Sequence, residues 1–170
     1  MAEARLMIPF IKKWEGGYAN DPDDAGGCTM MGVTIKVYKK YFGKDKTCED
    51  LKNITEDEWL EIFKDGYWKP WKADEIKNQS IAQLCVDMGW MSGTKTAIKK
   101  VQECLGTKAD GIVGPKTLAL LNQLPSAGVF RKLWVMRYNW LHQIAKVGNN
   151  KKFLRGWCNR LNDHKFKFNL

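Results

Sequence analysis

Apolar residues recur along this chain at three- and four-residue intervals, the period of a helix with one buried face. Leu6, Phe10, Ile11 and Trp14 mark the first such stripe, over residues 4–14, and Gly16-Gly17 end it. The rhythm then breaks. Asn20, Asp21, Pro22, Asp23, Asp24, Gly26 and Gly27 are turn formers, which predicts an irregular loop over 18–33 with a short hairpin around Thr29 to Thr34. Helical spacing resumes from Thr34 to Phe42 and stops at Gly43. Thr55-Glu-Asp-Glu58 reads as a capping box that opens a helix through Trp59, Ile62 and Phe63. Beyond an aromatic turn, Tyr67 to Trp71, one stripe runs through Ile81, Leu84, Cys85 and Met88 to Gly93. The next runs through Ala97, Ile98, Val101 and Leu105 to Gly106. Asp110-Gly111 predicts a turn, and Pro115 a helix start. A long helix is expected from Ser126 to Lys146 and a last one through Phe153, Trp157 and Leu161. No strand-rich region, repeat or low-complexity linker interrupts the series, so the chain is predicted to be mainly α, in two interlocked lobes.

Composition sharpens this picture. With 170 residues, 44% of them hydrophobic, the chain can bury a proper core, and no run approaches the ~20 apolar residues of a membrane span. Its start, MAEARLMIPFIKKWEGG, has no unbroken apolar h-region, so synthesis in the cytoplasm without a secretory signal is expected. The five cysteines form no CxxC pair; their odd number and wide spacing fit neither a disulfide framework nor a zinc site, and free thiols are expected. With only two histidines, no metal site and no cofactor are expected. The net charge of +9 favours polyanionic partners, among them the acidic polymers of a bacterial envelope. No arginine-rich helix, RNP motif or zinc finger accompanies that charge, which counts against nucleic acid. Some of the eight tryptophans must fill the core, but eight are many for a chain this size and aromatic faces stack on pyranose rings, so at least two tryptophans or tyrosines are expected to line a site.

The informative segment starts at Glu15. Its carboxylate ends an apolar helix directly after Trp14, where crowding disfavours charge and the helix dipole is unfavourable to an acid. A carboxyl kept protonated in this way is what a general acid for a glycosidic oxygen requires. The polar, glycine-rich loop after it bears Asp21, Asp23, Asp24 and Thr29, groups able to bind a water, a sugar hydroxyl or a developing oxocarbenium ion. Glycoside hydrolysis needs a second carboxyl group across the scissile bond. Asp24 is the first choice for it and Asp21 the alternative. The acidic spacing does not match an EF-hand loop.

The run EGGYANDPDDAGGCTMMGVT, residues 15–34, resembles the signature of glycoside hydrolase family 108. That signature reads E-G-G-Y-x-x-D-P-x-D-x-G-G-x-T-x-x-G-[IV]-T, and every fixed position is matched. The resemblance implies a lysozyme-like helical fold, with the irregular loop or hairpin after the first helix and a packed C-terminal helical lobe. It also implies N-acetylmuramidase activity, with Glu15 as catalytic acid. The order glutamate, aspartate, threonine is similar to that of phage-type lysozymes and would map onto Glu15, Asp24 and Thr29. Tyr18, Asp21, Trp68, Asp87 and Trp90 are the candidates for substrate contact. Asp87 to Gly93 is similar to a D-x-x-x-N-S-G stretch of the family, with Met91 in the asparagine's place. Val101-Gln102, Leu105-Gly106 and Ala109 to Thr117 resemble predicted peptidoglycan-binding modules, although D-G-x-x-G-P-x-T is also a good loop-to-helix connector by itself. Residues 1–92 are thus expected to form the catalytic region and 93–170 a helical peptidoglycan-binding region packed on it as one compact unit.

The function implied is a monomeric, endolysin-like hydrolase of bacterial peptidoglycan, cutting the β-1,4 bond between N-acetylmuramic acid and N-acetylglucosamine. It would reach the wall by holin-type release or specialised secretion. The alternative is a non-catalytic wall-binding or secretion-accessory protein of the same fold.

Overall fold

The computed structural model describes residues 1–20 and 27–165. These form nine α-helices and one small three-stranded sheet, so the chain is mainly α, consistent with a lysozyme-like fold. The chain divides into two compact units, Ala4–Gly66 and Met1–Glu3 with Tyr67–Leu170. That division falls earlier than the one expected between 92 and 93. The helix over 79–92 packs against the helices that follow it and so groups with them.

The Ala4–Gly66 unit opens with a 3-10 turn, Ala4–Met7, and α1, Ile8–Glu15. Three two-residue strands follow, β1 (Tyr18–Ala19), β2 (Thr29–Met30) and β3 (Val33–Thr34), then α2 (Ile35–Phe42), α3 (Cys48–Lys52) and α4 (Glu56–Phe63). The sheet is antiparallel in the order β1-β2-β3, with Tyr18 opposite Met30, Ala19 opposite Thr29 and Thr29 opposite Thr34. The capping box read at Thr55 and Glu58 is present at the start of α4, and a second one, Thr47 with Asp50, opens α3. Ile8 and Ile11 of α1, Val33, Tyr38 of α2, Leu51 of α3 and Trp59, Leu60, Ile62 and Phe63 of α4 are buried.

The expectation of free thiols fails for two cysteines. Cys28 and Cys48 form a disulfide. Cys28 stands next to β2 and Cys48 opens α3, and these two elements pack together, so residues 20 apart in sequence meet in space. Spacing along the chain could not report this. Cys85, Cys104 and Cys158 remain free thiols, with Cys85 fully buried and the others half-buried.

In the second unit, 3-10 turns at Lys69–Trp71 and Ala73–Glu75 lead into α5 (Gln79–Ser92). There follow α6 (Thr94–Leu105), α7 (Pro115–Leu121), α8 (Ser126–Ile144), a 3-10 turn at Asn150–Phe153 and α9 (Leu154–Asp163). α5 is the central helix of the unit: all of Ser80 to Gly89 but Gln83 is buried, and the helix packs on α6 and α8, while α9 packs on α8. The N-terminus is stitched on by Ala2 N–H to the Ile76 carbonyl (2.9 Å) and Glu3 N–H to Gln79 Oε1 (2.7 Å). No helix among the described residues is long and apolar enough to cross a membrane.

Candidate active site

Glu15 is the last residue of α1 and is half-buried, next to a half-buried Trp14 whose ring neighbours Phe10 (6.5 Å between centroids). Gly16 follows at φ +73° and ψ −161°, a region open essentially to glycine alone, so the chain turns away from the helix immediately after the carboxylate. Two residues later Tyr18 enters β1. Tyr18 is half-buried, and the Lys52 ammonium lies 5.8 Å from its ring centre.

The pairing of β1 with β2 sets Thr29 opposite Ala19, so Thr29 lies on the strand beside the one that leaves Glu15. The β2–β3 turn is Met31-Gly32, both at positive φ (+48° and +76°), as a type I′ hairpin requires. Trp59 secures it by donating its indole N–H to the Met31 carbonyl at 3.1 Å, while its ring stacks on Phe63. Thr34 ends the segment as the N-cap of α2, its hydroxyl accepting from Val37 N–H at 3.3 Å. Asp21 and Asp24, the alternatives for the second carboxylate, lie outside the described residues.

Among the described acidic residues of the Ala4–Gly66 unit, only Glu15 and Glu58 are shielded from full exposure. Glu58 is committed elsewhere. It accepts from Thr55 N–H (2.9 Å), the Thr55 hydroxyl (3.0 Å) and the Tyr38 hydroxyl (3.2 Å), and the cap bond from Thr55 N–H leads in holding its carboxyl below the usual range. Burial first, and then Glu58, push the Tyr38 phenol up to about 12.

Two residues nominated for sugar contact are placed differently in the second unit. Asp87 is wholly buried, and its oxygens accept from Arg137 Nη2 (2.7 Å) and from Arg160 Nη2 (2.7 Å) and Nε (3.0 Å), with His164 Nε2 at 3.0 Å. Burial by itself would raise its carboxyl, but Arg137, His164 and Arg160 together hold it far below the ordinary range. Asp87 is therefore a structural hub that ties α5 to α8 and α9, not a group presented to a sugar. Trp68 ends a π-helical turn, Lys64–Trp68, that carries its ring inward; it is fully buried and its N–H donates to Asp74 at 2.8 Å. Tyr67, not among the candidates for sugar contact, and Trp90 are both half-buried, with ring centroids 4.5 Å apart.

The D-G-x-x-G-P-x-T segment is organised by a residue that spacing did not single out. Gln102 of α6 is buried, and its Nε2 lies within hydrogen-bond distance of Asp110 Oδ1 (3.0 Å), the Ile112 carbonyl (2.9 Å) and Thr117 Oγ1 (3.2 Å). Its Oε1 accepts from Gly111 N–H at 2.9 Å. The Ile112 N–H, ahead of Gln102, keeps the Asp110 carboxyl below its usual range.

The family model described as glycosyl hydrolase 108 matches residues 8–93, and one described as a predicted peptidoglycan domain matches residues 96–162. Among solved structures, the chain is similar to the protein of "Structure of Brucella abortus SagA", with 27% identity and a TM-score of 0.74, over 95% of this chain and 90% of that one. A search of curated proteins found no match. The two domains together mark a protein that acts on peptidoglycan. The chain belongs to the glycosyl hydrolase 108 family.

Proposed function

We propose that this protein is an N-acetylmuramidase, which cuts the β-1,4 bond between N-acetylmuramic acid and N-acetylglucosamine with Glu15 as the general acid. One observation carries the reading. Glu15 is a half-buried carboxylate at the end of α1, followed by a turn that only glycine makes without strain and by paired strands that carry Tyr18 and Thr29. Glu15 protonates the leaving oxygen. Asp24, or Asp21 in its place, supplies the second carboxylate, which the chemistry needs to activate water or stabilise the anomeric carbon. Thr29 assists from β2, and Tyr18 and Trp90 contact sugar.

The protein works as a monomer outside the cytoplasm, after holin-type release or specialised secretion. The Cys28–Cys48 disulfide suits an oxidising compartment. The net charge of +9 concentrates the enzyme on acidic envelope polymers. Clearing of purified peptidoglycan by wild type and by Glu15→Gln tests the assignment. The variant is expected to lose about 10²–10⁴-fold in rate, the usual contribution of a positioned acid, while still sedimenting with insoluble wall. Full activity in Glu15→Gln removes Glu15 from the mechanism. Mass analysis of the released fragments identifies the bond cut.

A further inference from the structure

The region matched as a peptidoglycan domain contains a cavity of about 310 Å³. Its lining includes Arg137, Trp140, Leu141 and Ile144 of α8 and Trp157 and Arg160 of α9, and the end of α5, before the matched region, completes it. Both tryptophans are half-buried. Arg137 is 3% exposed. Its Nη2 donates to Asp87, but its Nη1 is buried and has no hydrogen-bond partner among the described residues.

That orphan donor needs explaining, because an arginine stays charged at any physiological pH and an unmatched buried N–H is costly. Asp87 cannot supply the missing acceptor. A carboxylate offers about four lone-pair sites, and Arg137 Nη2, Arg160 Nε, Arg160 Nη2 and His164 Nε2 already occupy that number. The cavity thus joins largely apolar, aromatic walls to an arginine with unused hydrogen-bonding capacity. Guanidinium is the side chain best matched to a carboxylate. The volume is at the small end for ligand sites, enough for one or two small residues and too little for a glycan strand.

We infer that this cavity binds a short peptide ending in a free carboxylate, with Arg137 receiving the carboxylate and Trp140 and Trp157 packing against small apolar side chains. Identifying that peptide as the end of a wall stem peptide rests on the peptidoglycan reading above.

The test is calorimetric titration of the full chain with three probes: N-acetyl-D-alanyl-D-alanine, its C-terminal amide, and N-acetylglucosamine tetramer. The acid is expected to bind, the amide to bind at least about tenfold more weakly through loss of the charge-assisted bond, and the tetramer to leave the cavity untouched. Ile144→Trp, which fills the cavity, should abolish peptide binding, and circular dichroism checks that it folds. No heat from the acid up to about 10 mM, equal affinity for acid and amide, or unchanged binding by folded Ile144→Trp would each overturn the inference. So would binding of the tetramer that Ile144→Trp blocks. The acid–amide comparison needs no variant and survives a folding failure. Peptidoglycan clearing by the same sample separates the two readings. Clearing without peptide binding overturns the cavity assignment alone; peptide binding without clearing supports it and counts against the hydrolase.

Discussion

The disulfide gives the sharpest quantitative expectation. Cys28 and Cys48 close a loop of 20 residues that contains β2, β3 and α2. Cross-linking a chain at that separation removes about 11 cal/mol/K of entropy from the unfolded ensemble, or about 3 kcal/mol at room temperature. Cys28→Ala/Cys48→Ala is the appropriate perturbation, since Cys28 is fully buried and serine would add a buried hydroxyl. With a urea dependence of about 2 kcal/mol per molar, the unfolding midpoint should fall by about 1.5 M. Circular dichroism during urea titration measures it, with oxidised wild type, wild type in reductant, and the double variant compared side by side. Reduced wild type should fall to the level of the variant, and the variant should ignore reductant. A variant within about 0.5 kcal/mol of oxidised wild type would refute the reasoning, as would reductant shifting both proteins equally.

Three further outcomes follow from particular residues. Gly32→Ala places a side chain at φ +76° on an exposed hairpin turn and should cost about 1–2 kcal/mol in urea unfolding; no loss would mean the turn relaxes freely. Gln102→Leu leaves Gly111 N–H without its acceptor and the Ile112 carbonyl without its donor, and about 3 kcal/mol of destabilisation is expected by the same measurement; a change below about 0.5 kcal/mol would show that water replaces the network. Burial, against the pull of Asp87, holds His164 below its ordinary value of 6.5, so the unfolded chain takes up a proton that the folded one resists. Stability is therefore full above about pH 6.5 and falls as the pH drops below it, by up to about 1.4 kcal/mol per unit. Asp87, with its pKa lowered, contributes fully above the unfolded value of 3.8 and loses that contribution progressively as the pH falls beneath it. His164→Gln should consequently flatten the melting temperature between pH 7.5 and 5, and a wild type already flat there would contradict the assignment.

Much of the fold was legible because helical stripes and caps are local signals. The stripe through Phe10 and Trp14, the Thr55–Glu58 box, Pro115 at a helix start and the long helix after Ser126 all correspond to elements found, within a residue or two at most ends. The hairpin after Thr29 was equally local, since its turn is two residues long. What the sequence concealed was long-range. The Cys28–Cys48 bond depends on α3 packing against β2, and Asp87 meets partners 50, 73 and 77 residues away. An aspartate inside a motif looks the same on paper whether it faces a sugar or two guanidiniums. The tryptophans were ambiguous for a related reason, because Trp68 lies buried at the end of a π-helical turn and no periodicity announces such a turn.

The two motifs differ in what remains after backbone geometry is accounted for. In the first, Gly16 and Gly32 adopt conformations that side chains resist, and Thr34 caps α2. Those positions are explained without any ligand. Glu15, Tyr18 and Thr29 are not, since other residues could end α1 or pair β1 with β2 just as well. They are positions whose residue type the backbone geometry alone does not fix, and all fall on α1 and the two strands that follow. In the second motif nothing comparable remains. Asp110, Gly111 and Thr117 are all held by Gln102, and Pro115 begins α7, so the whole string acts as a connector. The cavity bearing Arg137, Trp140 and Trp157 is lined by none of those residues, and it holds an arginine whose buried Nη1 lacks an acceptor among the described residues.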